Sequence, residues 1–337
     1  MRIGVIGAGA VGGSLAAILD RQGHDVSVTA RGEHLERLRA DGLRLAGQWG
    51  EHVARVPADE VLAPGSELVV LAVKATGAAA ALEQNRTAIE DVPLLVVQNG
   101  LDGIETAARC APGAAELLGG LATWAVSHLE PGIVTVTSSG KLFVGAGHGT
   151  PTPLVRRVGR VLSEVVETTV VEDFAGAQWT KLIINQVNAL PAITSLSVQE
   201  VVDDHRLRRV LTASMREAVR VAIASGVHFA TMQGMGDAML RRFAKAPLWM
   251  GQTIPVAIRR RLGDVPNPGS TLQSIRRGQR TEIDALNGAV VRAAERLGQD
   301  APVNRVLTEL VHRVEAGEGF FAPEAVVAAV DALEPAA

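Results

Sequence analysis

From its first residue the chain alternates short apolar runs with longer amphipathic ones. "RIGVI" (2–6), "DVSVTA" (25–30), "ELVVLAVK" (67–74) and "PLLVVQ" (93–98) are rich in Val, Ile and Leu and short, which predicts strands. The stretches between them carry a helical period, first over 10–22. Strands interleaved with helices predict a parallel, doubly wound α/β sheet. Between 117 and 146 Pro-Gly and Ser-Gly turns appear, which predicts antiparallel strands closing that same sheet. After "ETTVVED" (167–173) the period is helical almost throughout, so the expected fold is an N-terminal doubly wound domain, 1–172, and an all-helical C-terminal domain, 173–337.

No internal repeat is visible, "GAAAAL" (77–82) reads as an Ala-rich helix, and "LGDVPNPG" (262–269) reads as a turn-rich loop before a helix. The final "EPAA" is expected to fray. At 337 residues the chain exceeds what one ordinary core supports, and 47% hydrophobic residues suffice for two. Tyrosine is absent, so aliphatic side chains must build most of that core. A formal charge of −3 argues against a nucleic-acid partner or a polybasic membrane patch. Cys110 is the single cysteine, no Cys/His cluster has metal-site spacing, and a reducing cytoplasm is the expected setting. No apolar run reaches about 18 residues, and the glycine-rich start lacks a signal-peptide profile, so it is read as structure. Assembly as a homodimer is left open.

"GVIGAGAVGGSLA" sets Gly7, Gly9 and Gly12, with Ala10 and Val11 between, at the junction of a predicted strand and helix. Gly7 permits the tight turn, Gly9 lets the backbone approach a pyrophosphate, Gly12 allows close helix packing, and the helix N-terminus attracts the anion. This predicts dinucleotide binding on a Rossmann-type domain. The second strand ends "SVTARG", without the acid that would bind a ribose 2′-hydroxyl. Arg31 sits where a guanidinium can clamp a 2′-phosphate, with Lys74 as a second cation, so NADP (as NADPH) is the expected cofactor; the bland alternative is a solvated surface arginine. Asn99, before Gly100 at the end of another strand, is placed to hold ribose or carboxamide oxygens or the substrate beside them, unless it is only an Asn-Gly turn.

"WTKLIINQVNALPAITS" (179–195) reads as one buried helix carrying a polar stripe. At 100° per residue Asn185 and Asn188 fall about 40° and 20° to either side of Lys181. Buried amides and ammonium groups need partners, so a polar cleft explains the stripe better than a snorkelling lysine beside capping asparagines. "NPGSTLQSIRRGQRTEIDALNG" adds Asn267, Ser270, Glu282 and Asn287. Here ordinary helix chemistry competes: Ser270 reads as an N-cap, Thr281 with Asp284 as a capping box, and Glu282 as a first-turn acid.

Taken together, "GAGAVGG", "ARGEHLERLRADGLRL", "VVQNGLDG", "SGKLFVGAG", "WTKLIINQVNALPAIT" and "STLQSIRRGQRTEIDALNGAVV" resemble the ketopantoate reductase (2-dehydropantoate 2-reductase) family over nearly the whole chain. The resemblance implies NADPH-dependent reduction of a 2-oxo acid, ketopantoate to pantoate, in a cleft between the domains. It implies that Lys181 is the general acid, that Asn185, Asn267 and Ser270 bind substrate, and that Glu282 fixes the substrate's hydroxyl end. The chain departs from the pattern once. Better-known members place a second asparagine eight residues after the lysine, followed by proline, whereas Asn188 comes at seven and the proline is Pro191. A one-residue change swings a side chain by about 100° unless the helix bulges. A reductase of another 2-oxo acid or ketone, and a cofactor-binding regulator without turnover, therefore stay open beside the main expectation.

Overall fold

A computed structural model of the chain describes residues 1–128 and 130–333; the "EPAA" tail lies outside the described residues. The chain divides into two compact units, Met1–Phe174 and Ala175–Ala337.

The first unit runs β1 (Arg2–Ile6), α1 (Ala10–Arg21), β2 (Asp25–Thr29), α2 (Gly32–Asp41), β3 (Leu43–Gly47), β4 (His52–Ala54), β5 (Ala58–Asp59), β6 (Leu68–Leu71), α3 (Ala78–Gln84), α4 (Arg86–Ile89), β7 (Leu94–Val97), α5 (Gly103–Cys110), β8 (Leu117–Ala122), β9 (Ala125–Ser127), β10 (Ile133–Ser138), β11 (Leu142–Ala146), α6 (Pro153–Ser163) and β12 (Thr168–Val170). Eight strands form one sheet in the order β12-β11-β8-β7-β6-β1-β2-β5. β6 and β7 are buried at every position, as strands of a sheet covered on both faces must be. The order reverses between β1 and β6, the switch point at which such sheets bind ligands.

The strands of 117–146 do not all close this sheet as expected. β8 runs parallel to β7, and only β11 pairs with it antiparallel. β9 and β10 leave for a second, four-stranded sheet in the order β4-β3-β10-β9, where β10 is parallel to β3. The Pro131-Gly132 turn does mark a chain reversal, between antiparallel β9 and β10, but turn chemistry fixes which strands follow one another and not which sheet receives them. Gly119 and Gly145 leave room for Phe174, since a Cβ on Gly119 would stand 2.0 Å from its ring.

The second unit is helical: α7 (Phe174–Asn185, opening on the last residue of the first unit), α8 (Ala189–Thr194), α9 (Val198–Asp203), α10 (His205–Ala224), α11 (Asp237–Lys245), α12 (Leu248–Gly251), α13 (Thr253–Leu262), α14 (Gly269–Arg276), α15 (Asn287–Arg296), α16 (Pro302–Glu315) and α17 (Pro323–Asp331). The single helix expected over 179–195 is broken by a 3₁₀ turn at Gln186–Asn188. Pro191 supplies a physical reason: it cannot donate to the carbonyl four residues back and its ring crowds it, so a fresh helix starts with Pro191 in its first turn, where no donor is needed. Among the described residues no helix is long and apolar enough to cross a membrane.

Candidate active site

The glycine loop joins β1 to α1 at the switch point. Gly7 has φ +97°, and a Cβ there would stand 2.5 Å from Val73, so only glycine makes this turn. Gly12 packs its bare Cα against the Gly7 carbonyl, which a Cβ would approach to 2.1 Å. Gly9 differs: a Cβ there would meet nothing within 4 Å. The outer side of the loop is open at the residue expected to face a pyrophosphate. No side chain caps the α1 N-terminus and no acid lies in its first turn, so its amides and dipole suit an anion. These residues fit a dinucleotide.

Two residues that sequence reasoning passed over lace the loop in place. Thr29, the last residue of β2, accepts the Gly7 N–H through Oγ1 at 2.9 Å and the Ala8 N–H through its carbonyl at 2.8 Å. His34 accepts the Gly132 N–H at Nδ1 (2.9 Å), so its proton sits on Nε2, which donates to the Ala8 carbonyl (2.8 Å). The available signal for Thr29 was its place at the strand tip; His34 gave none.

Arg31 is exposed at the start of α2, two residues beyond β2, and donates to Gln84. The acid paired in register with Thr29, Asp59, forms an ion pair with Arg39. Lys74 follows β6 and is exposed, and Asn99 follows β7 and is half-buried, so both stand at the same edge of the sheet as the glycine loop. Gly100 has φ +87°, the turn that the Asn-Gly pair predicted.

In the second unit Lys181 lies on α7 and is partly buried. Burial lowers its pKa to about 8, opposed by the charge of Glu282, which acts to raise it. Lys181 and Glu282 are therefore electrostatic neighbours across 101 positions of sequence. Asn185 ends α7 and is half-buried.

Asn188 is placed differently from the stripe expected of a continuous helix. In the 3₁₀ turn residues three apart eclipse, so Asn188 stands over Asn185 and donates Nδ2 to its carbonyl at 3.0 Å. Its Oδ1 accepts the Ser270 N–H at 3.0 Å, and the residue is only 8% exposed. Asn267 Oδ1 accepts the Gly269 N–H at 2.8 Å. Two asparagine side chains thus satisfy the first amides of α14, and the expected Ser270 N-cap is corrected: Ser270 lies inside the first turn, capped by Asn188. Gly269 is required twice, by φ +70° and because a Cβ would stand 2.7 Å from Asn188 Oδ1.

The helix expected to begin around Glu282 is also corrected. Glu282 precedes a 3₁₀ turn, Ile283–Ala285, and α15 starts only at Asn287. Thr281 Oγ1 accepts from Ile283 N at 3.2 Å rather than closing a capping box, and Asp284 pairs with His312 at 3.2 Å. The geometry therefore gathers Lys181, Asn185, Asn188, Asn267, Ser270 and Glu282 on the connected segments α7, the 3₁₀ turn, the α14 start and the α15 approach.

A glycine loop at the switch point of a mostly parallel sheet, followed by a helical unit, defines a Rossmann-type protein with an all-helical second unit. Two family models match the chain: "Ketopantoate reductase PanE/ApbA" over residues 3–149 and "Ketopantoate reductase PanE/ApbA C terminal" over 173–315. The 2-dehydropantoate 2-reductase of Halobacterium salinarum is 31% identical, over 92% of this chain and 98% of its own length. That of Pyrococcus horikoshii is 26% identical, over 94% and 98%. The solved structure of a PanE/ApbA family ketopantoate reductase from Ralstonia eutropha JMP134 is 30% identical, with a TM-score of 0.80 over 94% of this chain and 99% of that one. D-mandelate dehydrogenase, solved with NADH and anilino(oxo)acetate, shares the fold at 21% identity and a TM-score of 0.79. The chain belongs to the ketopantoate reductase family, and it is an NAD(P)-dependent oxidoreductase.

Proposed function

We propose that the chain reduces ketopantoate to pantoate with NADPH, the first unit binding the dinucleotide and the second the 2-oxo acid, with Lys181 as general acid. The carrying observation is the partly buried Lys181 with its pKa lowered to about 8 near Glu282, in a chain whose relatives bear the name 2-dehydropantoate 2-reductase. Gly7, Gly9, Ala10, Val11 and Gly12 would cradle the pyrophosphate, Arg31 and Lys74 the 2′-phosphate, and Asn99 the nicotinamide end. When bound, NADPH supplies the hydride that the C2 carbonyl receives. Lys181 holds a proton for the carbonyl oxygen as that oxygen gains negative charge. Asn185, with the Ser270 hydroxyl and the Asn267 amide on their clasped loop, orients the substrate, and Glu282 accepts from its hydroxyl. Asn188, with its amide oxygen and one amide hydrogen engaged, holds that loop and leaves its second amide hydrogen for the substrate. Cytoplasmic residence accords with the lone, buried Cys110.

A second reading, reduction of a different 2-oxo acid or ketone, is favoured only by the early position of Asn188. Initial rates of NADPH oxidation across a panel of 2-oxo acids separate the two. Ketopantoate is expected to give the highest kcat/KM; a tenfold preference for another member would transfer the assignment to it.

Cofactor choice has its own test. Arg31→Ala is expected to raise KM for NADPH by about tenfold or more while moving that for NADH less than about twofold, since only NADPH carries the phosphate. Equal effects on both cofactors would make Arg31 a bystander.

A further inference from the structure

Asn287 takes no part in the proposed chemistry, yet it belongs to a hub of polar side chains sealed inside the second unit. Gln186, Ser214, Asn287 and Asn304 are each 0% exposed. Gln186 Oε1 accepts from Ser214 Oγ (2.7 Å) and from Asn287 Nδ2 (2.7 Å), and Gln186 Nε2 donates to the Leu182 carbonyl (3.2 Å). The second hydrogen of Asn287 Nδ2 goes to Asn304 Oδ1 at 3.0 Å. Asn304 Nδ2 in turn reaches the Ser214 carbonyl (3.1 Å) and Glu217 Oε2 (2.8 Å). Both hydrogens of the Asn287 amide are used, while its own Oδ1 is buried with no hydrogen-bond partner. An apolar residue would avoid that orphan; the amide is kept for what its donors hold.

What they hold is the frame of the candidate site. Gln186 is the first residue of the 3₁₀ turn that follows Lys181 and Asn185, and two positions on, Asn188 clasps the Ser270 loop. Asn287 opens α15, and the turn just before it hangs from the Glu282 carbonyl through Ala285 N (2.8 Å) and Leu286 N (3.1 Å). We infer that the Gln186–Asn287 hydrogen bond is a positioning device, fixing the Lys181 helix and its 3₁₀ turn against the segment that carries Glu282. Gln186 and Asn287 are positioning residues that touch neither substrate nor cofactor. The inference rests on the proposed reductase reading.

The test is a double-mutant cycle read on kcat. Gln186→Leu and Asn287→Leu are expected each to lower kcat for ketopantoate by about tenfold per molecule competent to bind NADPH, with the NADPH dissociation constant unchanged. The double variant should fall no further than the worse single one, because each single variant already removes the Gln186–Asn287 bond on which the positioning depends. If the leucine variants do not fold, Ser214→Ala, which deletes one donor to the same Gln186 oxygen at little change of volume, is expected to lower kcat about threefold. Variants that lose melting temperature but keep the parent kcat, or whose effects on kcat multiply, would overturn the inference and leave the reductase reading intact. A parent protein that turns over no 2-oxo acid overturns the reductase reading, and this inference with it.

Discussion

Lys181→Met should lower turnover by ~10²- to 10⁴-fold, the scale of a positioned general acid, while leaving NADPH affinity within about threefold of the parent. The proposed phosphate cradle lies in the first unit, and a methionine keeps the length and apolar body of the lysine. The pH dependence gives an independent check. Burial lowers the Lys181 pKa to about 8, and Glu282 acts to keep it from falling further. The protonated form donates, so kcat/KM for reduction should be level on the acid side of about 8 and fall about tenfold per unit above it. Oxidation of the alcohol needs the unprotonated amine, so the reverse reaction should rise through the same pH. In Lys181→Met both limbs should vanish. A folded, NADPH-binding Lys181→Met that reduces substrate within a few fold of the parent would return the lysine to a snorkelling role.

The parts of the site legible in the sequence are those whose chemistry is local. Gly7 and Gly12 announce a strand-to-helix turn because part of what they answer is local: Gly7 turns the chain at φ +97°, and Gly12 packs on the Gly7 carbonyl five residues back. The strands β1, β6 and β7 were legible because a buried parallel strand is apolar at nearly every position, and β2 through the alternation of its buried Val26 and Val28. What failed to show is decided at long range. Asn188 caps a helix 82 residues away, and nothing in "NQVNALP" announces the loop that needs it. The broken helix was half-visible: Pro191 says that the ladder must be interrupted, but the choice of a 3₁₀ turn is stabilised by Gln186 reaching Ser214 and Asn287. β9 and β10 fall in the stretch expected to close the first sheet, but they join a second one, since β10 pairs with β3, which lies about ninety residues upstream. Periodicity finds elements and local turns find their ends, while the partners that complete a site come from the whole fold.

Glu282→Gln should separate substrate anchoring from cofactor binding. The amide keeps an acceptor oxygen and nearly the same volume but loses the charge, and a hydrogen bond to a charged acceptor is worth about 1.5–3 kcal/mol, so KM for ketopantoate should rise by ~10- to 100-fold. NADPH affinity should not move. Removing the carboxylate also removes the field that raises the Lys181 pKa, so the alkaline limb of kcat/KM should shift to below about 8. A structural acid whose loss merely loosened the α15 approach would not shift that limb in a fixed direction. Substrate chemistry gives a further contrast: an analogue of ketopantoate lacking its hydroxyl should be a poor substrate for the parent, and the parent's preference for the hydroxylated acid should shrink in Glu282→Gln by the same factor by which KM rises. If the preference survives intact, the hydroxyl is recognised elsewhere; if NADPH affinity falls with it, Glu282 shapes the protein and not the substrate site.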